Sequence, residues 1–357
     1  MDVKELIGIL DRIAPFKDSE DWDNTGLLVG DLNHEVTGVL TTLDCGLETV
    51  DEALDNDINV IVAHHPIIFP NVSKVTESGV GSIIRKLIKY DINLIAMHTN
   101  LDHQPKGVSH MIAEQLGFKD TEILIKHQTF YKKLRINIPA EDREQLKQDL
   151  SKAGVGEQGD YSECFFEYPV KGQFRPGDES DPHIGSRGAL EHVDEYIVEA
   201  IFEAAHEQET VDALIASHPY EEPAYDILSI NKPSDKGLGV LFEYDGSLDT
   251  LVSLIEEKSG LPVVNVVKGS DKGINKVAVI GGSGMGHINQ AFAAGADVLL
   301  TGDVKYHEAY DAKLAGRNII DTGHYMEIVM AEGLKNLIEN EIDVKIRATK
   351  ISTNPFA

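Results

Sequence analysis

The sequence predicts an α/β fold: one discontinuous α/β domain with a parallel-rich sheet, formed from both ends of the chain, with an α+β module inserted between its halves. Three observations lead there. The first and last thirds both alternate short apolar, β-branched runs with helix-like segments, which is the pattern of a parallel sheet with helical crossovers. In both thirds the polar residues gather where the runs stop. The middle third has a different character.

In the first third the runs are VTGVLTTLD at 36–44, INVIVAHHP at 58–66 and INLIAMHTNLD at 92–102, separated by GLETVDEALDND and SGVGSIIRKLIKYD. Ligands of such sheets bind beyond the carboxyl ends of the strands, and His64, His65, His98 and Asp102 fall there. The last third repeats the style with NKVAVIGG at 275–282, ADVLLTGD at 296–303 and RNIIDTGH at 317–324, then the helical MEIVMAEGLKNLIEN. The middle opens with the period-two FYKKLRINIP, and strand, helix and strand then appear twice, as in a small α+β module of ferredoxin-like type with an antiparallel sheet. The expected boundaries are 1–125 and 236–357 for the two halves of the α/β domain and 126–235 for the insert.

The chain of 357 residues carries a formal charge of −28, from 60 acidic against 32 basic residues. That balance repels a phosphate backbone at long range and disfavours generic nucleic-acid binding. Asp, Lys, Asn or His interrupts every apolar run before about 20 residues, so no membrane span is expected. The start, MDVKELIGILDRI, reads as a mixed-charge amphipathic helix and not an export signal. Cys45 and Cys164 stand far apart without CxxC spacing, which points away from a disulfide framework and toward a cytoplasmic protein.

His64 and His65 are adjacent at a strand end and would point to opposite faces if the strand continued. Pro66 removes a donor and restricts the residue before it, so the backbone turns and both imidazoles can face one cleft. The competing reading is two histidines capping a strand. The next strand ends in His98-Thr-Asn-Leu-Asp102. Asp102 is either a carboxylate able to bridge two cations or a turn and N-cap residue, His98 a further ligand or a group behind the ligands, and His103 a solvent-facing neighbour. Asp321-Thr-Gly-His324-Tyr-Met-Glu327 follows a strand and opens a helix, on which residues three apart share a face. Three histidines and two carboxylates suit a two-metal site for Zn, Mn or Fe.

Other polar clusters admit two readings each. Ile280-Gly-Gly-Ser-Gly-Met-Gly286 lacks the spacing of a dinucleotide fingerprint and reads first as a tight strand-to-helix turn. In Gly302-Asp-Val-Lys-Tyr-His307, Lys305 can neutralise a phosphate, His307 can move a proton beside the metals and Asp303 can orient either; the alternative is a polar turn. Asp23, Asn24 and Thr25 beside Trp22 read first as a structural helix-to-strand turn, with contact to the cleft as the alternative. In the insert, His218 and Glu221-Glu222 are possible ligands, against a proline-flanked acidic turn.

Five segments in order, Trp22-Asp-Asn-Thr-Gly26-Leu-Leu-Val-Gly30, Val62-Ala-His-His-Pro66, His98-Thr-Asn-Leu-Asp102, Thr301-Gly-Asp-Val-Lys-Tyr-His307 and Asp321-Thr-Gly-His324-Tyr-Met-Glu327, span nearly the whole chain. In them the sequence resembles the dinuclear-metal hexameric proteins known as GTP cyclohydrolase I type 2 homologues, related to a yeast transcription-factor interactor. The resemblance implies two divalent ions per subunit held by His64, His65, Asp102, His324 and Glu327, with His98 and His307 as proton-moving candidates. It implies hydrolysis of a nucleotide or related small molecule, GTP by the family's name, and a homo-hexamer of two trimers. The alternative is a noncatalytic, metal-dependent sensor or interaction protein forming a ring. The middle segment, with Gly172-Gln-Phe-Arg-Pro176 and His218-Pro-Tyr-Glu-Glu-Pro-Ala-Tyr-Asp226, is similar to the extra domain of longer members, of the signal-transduction and copper-tolerance type.

Overall fold

The apolar runs of the first third fold as the strands Gly38–Thr42, Val60–Ala63 and Asn93–Ala96, each buried along its whole length. Burial on both faces explains why they read as continuous apolar runs and not as alternating ones. The structure is a computed structural model that describes residues 1–69, 71–159 and 161–356, and of residues 128, 129 and 231–233 the backbone alone. Its contacts divide the chain into two units, one of 1–127 with 235–357 and one of 128–234.

The first unit holds two sheets, where the sequence suggested a single one. In the first, the three strands lie parallel, Gly26–Val29 adds antiparallel to Asn93–Ala96, and Lys345–Ala348 from the far end of the chain adds parallel to Gly38–Thr42. In the second, Ile274–Val279, Val298–Thr301 and Asn318–Asp321 lie parallel. Antiparallel segments flank them, Asn265–Val267 on one side and residues 240–246 on the other. The flanking strands are short or half-exposed, which is why periodicity did not reveal them. A common core of Leu6, Leu10, Val39, Val62, Ile95, Val279, Leu300 and Leu334 joins elements from both ends of the sequence.

Polar ties reinforce that joint. The Thr41 hydroxyl, fully buried, donates to the carbonyl of Ala331 at 2.6 Å and also meets that of Arg347 at 3.2 Å. The Thr349 amide donates to the Thr41 carbonyl at 2.9 Å, and Glu52 accepts from the Lys350 amide at 2.8 Å. His103, expected to face solvent, is 4% exposed; its Nδ1 donates to the Asp18 carbonyl at 2.9 Å and its ring meets that of His127 edge to face.

In the second unit the chain runs as strand Glu122–Pro139 (entering from the first unit), helix Arg143–Lys152, strands Phe166–Phe174 and Glu191–Glu203, helix Glu207–Ser217 and strand Tyr225–Gly246, which returns to the first. Glu191–Glu203 pairs antiparallel with both Phe166–Phe174 and Glu122–Pro139. Leu134, Ile136, Ile138, Leu146, Leu150 and Phe202 form its core.

Because Thr41 binds across the two ends of the chain, Thr41→Val should keep the volume and lose the bonds. A loss of about 0.5–1.5 kcal/mol in urea unfolding is expected, and an unchanged midpoint would show that the bonds do not contribute.

Candidate metal centre

His64 and His65 follow the strand Val60–Ala63 and keep their backbone amides on the sheet by donating to Thr42 and Leu43 carbonyls at 3.0 Å each. The pair therefore leaves the strand together, and the two rings sit 5.1 Å apart. His98 follows the neighbouring strand and lies 5.1 Å from His64 and 5.7 Å from His65, ring to ring. His324 follows the strand Asn318–Asp321 of the other sheet and lies 5.1 Å from His65. Ligand-type atoms converge in three groups: His64, His65 and His98; His65, His324 and Glu327; His64, Asp102 and Glu327.

Each imidazole is held from behind through Nδ1. His64 Nδ1 donates to the Met97 carbonyl at 2.8 Å, His65 Nδ1 to Asp44 at 2.7 Å, His98 Nδ1 to Asp23 at 2.9 Å and His324 Nδ1 to Asp303 at 2.7 Å. Such a bond fixes the tautomer, leaving the Nε2 lone pair forward, and raises its basicity as a ligand. His64 Nε2 is fully buried without a hydrogen-bond partner, 3.7 Å from Asp102 and 4.0 Å from Glu327. An orphaned lone pair beside two carboxylates fits a cation between them, so the residues suit a divalent metal.

Glu327, 3% exposed, is the carboxylate common to two of the groups. One oxygen lies 3.0 Å from His324 Nε2 and 3.3 Å from His65 Nε2, and the other faces His64. Glu327 is thus the carboxylate that two groups share, while Asp102, read from sequence as able to bridge two cations, ends the one-turn helix Thr99–Asp102 and joins one group. His324 and Glu327 sit on a 3-10 turn, His324–Ile328, ahead of the helix Val329–Ile338, and not in that helix's first turn. With three residues per turn, positions three apart eclipse and their side chains meet directly.

The glycine run has a steric reason. A Cβ on Gly281 would come 2.9 Å from Glu327 Oε1, and one on Gly282, whose φ is +57°, would come 3.0 Å from it. Asp303 has φ +55° and turns its carboxylate onto His324. His307, for which proton movement beside the metals and a polar turn were both open, stands on the exposed first turn of the helix Tyr306–Leu314 with its ring against Tyr306, and joins none of the ligand groups. The sequence reading gave Asp44 no role, preferred a structural one for Asp23 and directed Asp303 at Lys305 or His307. Asp44 follows the strand Gly38–Thr42 of one sheet and Asp303 the strand Val298–Thr301 of the other, a position that could have marked both, whereas Asp23 precedes the strand Gly26–Val29 and carried no such signal.

Burial overrides the neighbouring carboxylate and lowers His64 to about 4, so this ring is neutral at physiological pH. Burial opposes charge on His65 as well, but bonds to Asp44 and Glu327 outweigh it and hold His65 up at about 10. The bond to Glu327 raises His324 to about 9 against its burial. Burial would raise Glu327, yet the bonds from His324 and His65 keep it ionised far below the usual range, while burial and the Glu327 charge push Asp102 well up. Protons in the metal-free site thus occupy the places that cations would take.

Two outcomes follow. Elemental analysis of untreated protein should find close to two divalent ions per subunit, and His64→Ala, Glu327→Ala and Gly281→Ala should each show a clear deficit; a full complement in the Glu327 variant would show that the carboxylate shared by two groups holds no ion. In chelator-treated protein, the raised His65 and His324 contribute stability that is complete below their unfolded value near 6.5 and is lost as pH rises through about 9 to 10. Urea midpoints should therefore fall from pH 6.5 to pH 10 without metal, and fall less when Zn or Mn is bound; parallel curves would show that metal does not replace those protons.

The sequence matches the Duf34/NIF3 (NGG1p interacting factor 3) family over residues 1–355. A Staphylococcus aureus protein named GTP cyclohydrolase 1 type 2 homolog is 44% identical over 363 aligned residues, covering 100% of this chain and 99% of the relative. Its Staphylococcus epidermidis counterpart of the same name is 42% identical with the same coverage. The crystal structure of Staphylococcus aureus protein SA1388 is similar with a TM-score of 0.87 at 41% identity, covering 100% of this chain and 98% of that one. A Bacillus cereus protein related to NIF3 has a TM-score of 0.76 at 35% identity, covering 100% and 99%. On a match of this extent, the chain belongs to the Duf34/NIF3 family.

Proposed function

We propose that the protein is a dinuclear-metal hydrolase acting on a nucleotide or a related small molecule. The observation that carries this reading is Glu327, a buried carboxylate shared by two groups of converging ligands, one with His65 and His324 and one with His64 and Asp102. Two divalent ions bound there would supply Lewis acidity toward a carbonyl, imine-like or phosphoryl centre and make water acidic near neutral pH. Asp44, Asp23, Asp303 and the Met97 carbonyl orient the four imidazoles before any ion arrives. Of the two residues considered for proton movement, geometry favours His98, backed by Asp23, over His307. Asp23 is itself held by the Thr99 amide at 3.0 Å and the Thr99 hydroxyl at 2.5 Å, and despite burial these bonds and His98 keep it ionised well below its usual range.

A nucleotide is favoured by the site's lip. Trp22 is 58% exposed and stands edge-on to Phe69, itself 50% exposed, and to His98. Exposed aromatic faces beside a polar site suit a flat heterocycle, since base stacking on such a ring contributes roughly 1–3 kcal/mol. The relatives' name, GTP cyclohydrolase 1 type 2 homolog, makes GTP the first substrate to try. The described residues contain no helix long and apolar enough to cross a membrane. In this reading the first unit is a discontinuous metal-binding domain in a cytoplasmic homo-hexamer. The second, whose strand and helix order fits a ferredoxin-like module, is its inserted domain. A second reading, a noncatalytic metal-dependent sensor or interaction protein forming a ring, draws on His98: a third imidazole can complete an ion's shell, and storage needs no open position.

The single tryptophan, Trp22, supplies the readout. With Zn or Mn bound, GTP or another nucleotide should quench its fluorescence saturably and be converted to product. Trp22→Ala should raise KM about tenfold with kcat within a few-fold, and His98→Asn should lower kcat. Metal-dependent binding without turnover of any nucleotide would favour the sensor reading, and absence of both would overturn the nucleotide proposal.

A further inference from the structure

Gly172-Gln-Phe-Arg-Pro176 and His218-Pro-Tyr-Glu-Glu-Pro-Ala-Tyr-Asp226 take no part in the metal centre, yet they meet inside the second unit. Between them opens a cleft of about 380 Å³, within the roughly 300–1,000 Å³ of small-molecule sites. At its floor lies Glu195, 6% exposed, on the strand Glu191–Glu203. Its carboxylate accepts from the Tyr220 hydroxyl at 2.8 Å and from Asn137 Nδ2 at 3.4 Å, and among the described residues it has no cationic partner. Gly172 makes room for it: a Cβ there would come 2.6 Å from Glu195 Oε2.

Phe174, His183 and Tyr220 form aromatic walls, with Tyr220 6.2 Å from Phe174 and 6.0 Å from His183, ring to ring. Tyr220 is fixed by His218, whose Nε2 donates to the Asn137 carbonyl at 2.8 Å while its Nδ1 accepts from the Tyr220 amide at 3.1 Å. Both nitrogens of His218 are thus committed, one to its own turn and one to the strand Glu122–Pro139, and it is unavailable as a metal ligand. Glu221 accepts from the Asp181 amide at 3.0 and 3.1 Å, which ties down the loop across the cleft. Burial and the Glu195 carboxylate push the Tyr220 phenol up, so it remains a donor at neutral pH.

We propose that this cleft binds a small organic molecule carrying an ammonium group, with the cation against Glu195 and the apolar body between Phe174 and Tyr220. A buried carboxylate surrounded only by neutral donors keeps an unbalanced charge, and a cation beside it removes that cost. Aromatic faces next to the carboxylate favour an organic cation over a hydrated metal ion, which needs several oxygen ligands; Glu195 is the one buried carboxylate of the lining, Glu221 and Glu222 being exposed and Glu221 held by the Asp181 amide. Arg175 is the one lysine or arginine in the lining, and its Nη1 donates to the Gly188 carbonyl at 2.5 Å. Because Arg175 lines the same cleft as Glu195, the carboxylate of an α-amino acid has a cationic partner there, so the ammonium comes from a free amine or from an amino acid. This inference does not depend on the metal centre.

Calorimetric titration of the full chain with pentylamine, norleucine and the neutral isostere 1-pentanol tests it. At least one of the two ammonium probes should bind saturably at one site per subunit while 1-pentanol does not; tighter norleucine assigns an amino acid, and tighter pentylamine a free amine. Glu195→Gln should weaken binding about tenfold or more, one charge-assisted contact's worth, while the exposed control Glu257→Gln leaves it unchanged. Phe174→Ala keeps the carboxylate and should weaken binding several-fold, which decides the matter if the Glu195 variant does not fold. Absence of saturable binding by both amines, equal binding of 1-pentanol, or affinity unchanged in Phe174→Ala and in a folded Glu195→Gln would overturn the proposal.

Discussion

A buried carboxylate needs positive charge near it, and the first unit is arranged around that need at Glu327. The residue is 3% exposed, and its two oxygens face His65 and His324 on one side and His64 on the other. A second carboxylate, Asp102, approaches His64 from across the site. Two acids within one cluster repel each other unless protons or metal ions intervene. The shifts follow from this: His65 and His324 are drawn up, Asp102 is driven toward its neutral form, and His64 stays uncharged with a bare lone pair.

The fold maintains that cluster by binding the chain's ends together. His64, His65, His98 and Asp102 sit beyond one parallel sheet, and His324 and Glu327 beyond the other. Strand Lys345–Ala348, near the C-terminus, lies on the sheet built from the N-terminal third, and Thr41 bonds both the helix and the strand that follow Glu327. The support reaches the site itself, because Thr353 donates to Asp44 at 2.6 Å while Asp44 holds His65. Damage to the C-terminal segment is thereby transmitted to an imidazole coded almost 300 residues earlier.

Much of this was legible in the residues. Continuous β-branched runs ending in His, Asp or Glu marked the strands and the sheet edge, because burial on both faces leaves no alternation to misread. The five residues assigned as ligands do converge, since each ends or follows such a run. What was not legible depended on direction and not on type. Asp102 and Glu327 are both carboxylates after strands, and only the 3-10 turn at His324–Ile328 shows which one faces both groups. His307 and Asp303 belong to one exposed polar segment, and at the left-handed backbone of Asp303 the carboxylate meets His324 while His307 packs its ring against Tyr306. His103 looked solvent-facing because its partners, Asp18 and His127, are remote in sequence. The short strands at the sheet edges carried too few residues to show a period.

The central claim is spatial: two cations share Glu327. Crystals of protein purified without chelator, measured at the absorption edge of whichever metal elemental analysis identifies, test it most directly. The account predicts two anomalous peaks about 3.5–4 Å apart, one against His64 and Asp102, one against His65 and His324, and both within bonding distance of Glu327. A peak bound away from Glu327, or strong metal density elsewhere with none in this cluster, would contradict it.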